Sequence, residues 1–109
     1  MNHEDYVNKK KKRVIEVAQG MLDGSVDYLE GSIELASLSF QVEAPDNDAD
    51  FIKFIAIASE IDHLPIGKVR QYWSPNALER NETEIKKSKK WAKEFSLEHC
   101  KSLVARYSA

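Results

Sequence analysis

The 109-residue sequence predicts an all-α protein: one compact bundle of four to five helices, ending in a long C-terminal helix that bends or breaks near Asn81. Three observations carry this expectation. Apolar residues recur at spacings of three and four in successive segments, the period of a helix with one buried face. Turn and cap residues fall between those segments, at Asp23-Gly24, Glu43 to Asp50, Leu64 to Gly67 and Ser74-Pro75. The length supports a single hydrophobic core, so residues 1–109 are read as one helical domain.

The first helix is expected over Asp5 to Leu22, with Val14, Val17, Ala18 and Met21 inward and Lys9 to Arg13 on the wet side. Gly24 suits the left-handed position after it. Ser25 is read as the cap of a second helix. Its apolar stripe would be Val26, Leu29, Ile33, Ala36 and Phe40, leaving Asp27, Glu30 and Glu34 in water. Gly31 costs roughly 1 kcal/mol of helix propensity relative to Ala, which marks it as a place for close helix crossing. Ser39 to Val42 alternates like a short strand but has no evident partner.

After a loop over Glu43 to Asp50, Asp48 is the expected N-cap of a third helix. Phe51, Ile52, Phe54, Ile55, Ile57, Ala58 and Ile61 make that helix apolar on most of its circumference, which predicts a central position. Pro65 ends the pattern. Ile66 to Trp73 reads as a short helix, and Ser74-Pro75 as a cap and first helical residue. From there Leu78, Ile85, Ser88, Ala92, Phe95, His99 and Leu103 keep helical spacing to the C-terminus. Unbroken, that run would be about 48 Å long. Asn81 followed by Glu84 resembles a capping box, hence the expected break. Trp73 and Trp91 are read as core residues ahead of the alternative that they serve an interface.

Charge is distributed unevenly. Between Glu16 and Asp62 eleven acids accompany one base, Lys53, whereas from His63 onward ten Lys/Arg outnumber five acids. The acidic block should attract a basic partner and repel nucleic acid; as a bland alternative it is a solvated face that aids solubility. The lysines at 86, 87, 89, 90 and 93 could contact phosphates, but the acidic block opposes this, and no nucleic-acid partner is expected. No apolar run approaches the roughly 20 residues of a membrane helix, and the N-terminal basic run lacks the apolar region of a secretory signal. The single cysteine, Cys100, excludes an intramolecular disulfide and fits a reducing compartment, so a cytoplasmic protein without membrane contact is expected.

Few residues suggest chemistry. Glu60, Asp62 and His63 form a tight acid-plus-imidazole group that could serve a general base. No nucleophile or phosphate loop accompanies them, so they are read as fixing the helix end, with no catalytic residue assigned. Asp46, Asp48 and Asp50 invite a calcium-loop reading, but the positions needing Gly and Glu hold Phe51 and Ile57. His3, His63, His99 and Cys100 lack metal-ligand spacing, so neither metal nor cofactor is expected. Arg70, Tyr72 and Trp73 lie together and are of the residue types enriched at interface hot spots.

The stretch S-E-I-D-H-L-P-I-G, with D-A-D-F before it and Y-W-S-P-N-A-L after it, resembles a family of small, uncharacterised, helical bacterial proteins. In size and character the chain is also similar to immunity proteins of contact-dependent growth inhibition. The resemblance covers roughly Tyr28 to Ala92. It implies a cytosolic binder, not an enzyme, that neutralises a cognate toxin by stoichiometric occlusion. The expected partner is a basic toxin domain, a nuclease. The expected contact residues are Asp27, Glu30, Glu34, Asp46, Asp48, Glu60, Asp62, His63, Arg70, Tyr72 and Trp73, on a monomer. The rivals are a structural or regulatory helical module, dimeric through its last helix, and an enzyme using Glu60, Asp62 and His63.

Overall fold

The computed structural model describes residues 2–108. The elements are α1 (His3–Asp23), α2 (Tyr28–Gln41), α3 (Phe51–Glu60), a 3-10 helix (Gly67–Tyr72) and α4 (Pro75–Ser108). There is no strand among the described residues, and Ser39 to Gln41 continue α2. Four cross-element contacts fix the directions. His3 meets Glu43, Asp27 meets Lys89, His63 meets Glu84, and Arg106 meets Asp48 and Asp50. The helices therefore run up, down, up and down. α1 packs most extensively on α4 and α2 on α3, while α1 and α3 stand on opposite corners. No described helix is long and apolar enough to cross a membrane.

The first connection follows the sequence reading in part. Gly24 takes the left-handed conformation, φ 90°, that ends α1. The cap of α2 is Asp27, not Ser25. Its carboxylate accepts from the N–H groups of Leu29 at 2.7 Å and Glu30 at 3.1 Å, whereas Ser25 folds back onto Gly20 and Asp23.

The buried stripe of α2 also differs from expectation. Leu29, Gly31, Ser32, Leu35, Leu38 and Ser39 face inward, while Ile33 and Phe40 are exposed. The two serines are tolerated inside because each hydroxyl donates to a carbonyl of its own helix, Ser32 to Tyr28 and Ser39 to Ala36, both at 2.6 Å. Gly31 is the expected close crossing: a Cβ there would lie 2.5 Å from Met21 Sδ on α1.

α3 is not the central helix. Phe51, Phe54 and Ile57 on one face are buried against α2 and α4, and Ile52 on another is exposed. Asp48 does the capping work foreseen for it, accepting from Asp50 N at 3.0 Å and Phe51 N at 3.1 Å. The short helix expected over Ile66 to Trp73 is a 3-10 helix over Gly67–Tyr72.

α4 is a continuous 34-residue helix with no break at Asn81. The Asn81 side chain donates to Ala77 O at 2.7 Å, and Glu84 reaches His63 instead of returning to cap Asn81. The length is accommodated by overhang: between Pro75 and Glu84 no residue is buried, and Ile85 is the first α4 residue in the core. This explains the elongated shape, 46 × 29 × 25 Å. Ser74 caps α4 as predicted, accepting from Ala77 N at 3.1 Å. Neither tryptophan is in the core. Trp73 is 36% and Trp91 38% exposed, the latter stacked on Phe95 with centroids 5.4 Å apart.

Candidate functional site

The site begins where α3 stops. Ile61, Leu64 and Pro65 are buried and pin the chain reversal to the core. Gly67 then adopts φ 67°, a left-handed conformation that β-carbon-bearing residues rarely take, and lies against the Glu30 side chain of α2. From there the 3-10 helix runs outward. In such a helix residues i and i+3 are stacked on one side, which pairs Val69 with Tyr72. Val69 is 48% exposed and Tyr72 82% exposed. Arg70 ties the segment down by donating from Nη1 to Pro65 O at 3.2 Å.

A cleft of about 470 Å³ lies between the start of α2, the 3-10 helix and the overhanging part of α4. Leu29, Ile66, Leu78 and Ile85 supply its apolar lining. Two ion pairs line it, Asp27–Lys89 at 2.8 Å and Glu82–Lys86 at 3.1 Å. Burial works against charge on Asp27, yet the contact with Lys89 and the two capping N–H groups hold its carboxyl below the usual range. Glu30, Glu79 and Arg70 also line the cleft, and no ion pair involves them among the described side chains.

Glu30, Ile66 and Gly67 also line a shallow groove that continues along α2 past Ile33, Glu34 and Ser37. One surface thus runs from the overhang of α4 to the outer side of α2. It brings together Asp27, Glu30, Glu34 and Arg70, with Tyr72 and Trp73 following Arg70 in the chain.

The other predicted residues lie elsewhere. Glu60, Asp62 and His63 are exposed at the end of α3, and the concavities described here are lined by other residues. His63 Nε2 is 2.8 Å from Glu84 Oε1, and that carboxylate favours the imidazolium and raises the His63 pKa above its ordinary value. Asp46 and Asp48 sit at the opposite end of the bundle, beyond the 14-residue α2, about 21 Å away. The eleven residues therefore do not share one face.

Asp48 is withdrawn from solvent. Arg106 grips it with two nitrogens, Nη1 to Oδ1 at 3.0 Å and Nη2 to Oδ2 at 2.8 Å, and reaches Asp50 Oδ2 at 2.8 Å. Asp50 also accepts from Ser102 at 2.6 Å and contacts His99 Nδ1 at 2.9 Å. Hydrogen bonding to Arg106 lowers the Asp48 pKa; for Asp50 burial opposes charge but the bonds to Ser102, Arg106 and His99 prevail and lower it too. The D-N-D-A-D stretch is an arginine clamp, and no described group of three His, Cys, Asp or Glu residues is placed to hold a metal ion. Cys100 is fully buried and its thiol is pushed up to about 12 by desolvation.

The acidic block is also less available than its count suggests. Glu34 pairs with Arg13 of α1 at 2.9 Å, and Asp27, Asp48 and Asp50 pair with α4 cations. Three of the eleven acids of the block are thus held by cations of α4 and one, Glu34, by Arg13 of α1. Sequence reasoning placed Ile33 and Phe40 inward, and it missed Val69, Leu78, Glu79 and Glu82 as residues of this site. A signal existed for α2. Gly31, singled out as a close crossing, points the spacing Gly31, Leu35, Leu38, Val42 inward and leaves Ile33 and Phe40 outside.

Comparison with known proteins finds no match to this chain among protein-family models, curated proteins or solved structures.

Proposed function

We propose that the chain is an immunity protein, a cytoplasmic monomer that binds a cognate bacterial toxin and neutralises it by covering its active site. The observation that carries this reading is the exposed 3-10 segment with Val69, Arg70, Tyr72 and Trp73, beside a cleft lined by Glu30 and Glu79. Aromatic residues and arginine concentrate binding energy when they become buried at an interface. Acids next to them that pair with no described side chain favour a basic partner and speed its approach. A nuclease that must hold phosphates has such a basic face, and the sequence resemblance points to the same class of partner.

The test is affinity capture from the native bacterium with the full chain and with a Tyr72→Ala/Trp73→Ala variant, eluted at rising salt. The captured domain is then expressed in a bacterial host with and without the chain. The reading expects a basic domain that is lost from the variant, is toxic alone and is harmless when co-expressed. A captured protein that is not toxic, or whose toxicity the chain leaves unchanged, overturns it. A self-associating helical module is the second reading, favoured by the exposed Trp91 on α4. Sedimentation across a concentration series separates a dimer from a monomeric binder.

A further inference from the structure

The outer side of α2 carries a feature that the Proposed function does not require. Ile33 is 41% and Phe40 73% exposed, although both are large and apolar. They stand seven residues apart on a helix, two turns or about 10.5 Å. The groove beside Ile33 continues through Ile66 into the cleft that holds Glu30 and Glu79. α2 itself contains no Lys or Arg.

We propose that this surface receives an amphipathic α-helix of the partner. Its apolar side would lie on Ile33, Phe40 and Ile66, and a Lys or Arg near one end would enter the cleft beside Glu30 and Glu79. The inference rests on the protein-binding reading above and names the recognition mode. A helix matches because its i, i+3 or i+4 and i+7 side chains repeat over the same two turns. An added strand does not match, because an extended segment needs an open sheet edge and the described residues contain no strand. The long stem of a lysine or arginine suits the apolar lining of Leu29 and Leu78, with its cationic head at the acids.

The experiment is a peptide-display selection on the intact chain, with the enriched peptides measured against Phe40→Asp, Ile33→Asp, Glu30→Gln/Glu79→Gln and Tyr72→Ala variants. The altered side chains are exposed, so thermal midpoints should stay at the wild-type value and exclude misfolding. Expected are peptides with apolar residues at i, i+3 or i+4 and i+7 plus Lys or Arg. Their affinity should fall at least tenfold with Phe40→Asp or Ile33→Asp, and Glu30→Gln/Glu79→Gln should weaken its salt dependence. Acidic or extended consensus sequences, or no enrichment over the Phe40→Asp chain, overturn the inference. Peptides indifferent to Phe40→Asp but lost with Tyr72→Ala overturn this mode and leave the protein-binding reading standing. Indifference to both removes the two together.

Discussion

Replacing Arg106 by Ala should destabilise the protein by an amount that depends on pH. The guanidinium faces two aspartates that are nearly out of solvent, Asp48 at 9% and Asp50 at 7% exposure. Removing one partner of a fully buried ion pair costs about 3–5 kcal/mol. Arg106 itself is 41% exposed, so water screens part of the interaction. Asp48 also keeps two backbone donors, and Asp50 keeps Ser102 and His99. These corrections bring the expected loss at pH 7 to about 2 kcal/mol, and a domain of this size would melt about 8 °C lower. Both aspartate pKa values are lowered in the fold, so their contribution is present above the unfolded value of about 3.9 and is lost as pH falls through the folded value. The gap between wild type and Arg106→Ala should therefore be full at pH 7 and close progressively below about pH 4. Urea unfolding at pH 7, 5 and 3 measures it, and adding Asp48→Asn to the variant should recover part of the loss at pH 7. An equal loss at pH 3 and pH 7 would refute the charge argument. It would mean that Arg106 acts through its contact with the Tyr107 ring, 5.4 Å from centroid to guanidinium.

Gly31→Ala should destabilise by about 1 kcal/mol even though alanine is the better helix former. The new Cβ meets Met21 Sδ at 2.5 Å in the core, and overpacking of about 1–3 kcal/mol outweighs a propensity gain near 1; chemical denaturation measures it, and a stabilised variant would show that Met21 moves aside freely. Tyr28→Phe should do the opposite and raise stability by about 1 kcal/mol. Its buried hydroxyl has no hydrogen-bond partner among the described residues, and its removal relieves a desolvation cost; a higher thermal midpoint is the expected result, and a lower one would reveal a partner for that hydroxyl.

Most of the fold was legible because its signals are local. Gly24, Asp48 and Ser74-Pro75 act through neighbouring backbone groups, so residue type and position were enough to place them. The errors concern relations between distant elements. Ser32 and Ser39 look polar, but each bonds its own helix and packs inward, which turned the stripe of α2. Asn81 and Glu84 read as a cap until His63, from another element, takes the glutamate. The overhang of α4 could not be foreseen from its own sequence, because its length is excessive only relative to the short α2 and α3.

The candidate site was half visible. Arg70, Tyr72 and Trp73 are neighbours in the chain and announced themselves by residue type. Glu30 was chosen for its charge, and its place beside Gly67 follows from the packing of two separate segments. Asp27, Glu34 and Asp48 were chosen by the same charge argument, but each is occupied by a cation from across the bundle. Counting acids gives the field of a chain; only the pairing tells how much of it reaches a partner.

The way α1 is covered has a consequence for the making of the protein. Val14, Val17, Ala18 and Met21 lie in the core, and α4, the most distant helix in sequence, is their helix's main neighbour. Without α4 this apolar side is covered by α2 alone, and the part facing α4 is open to other apolar segments. The ring closes only when α4 docks, so the core is completed by contacts between helices far apart in sequence. Near the end of α4, Leu103 is buried and Arg106 holds the two aspartates at the start of α3, so the helix that covers α1 also fastens α3.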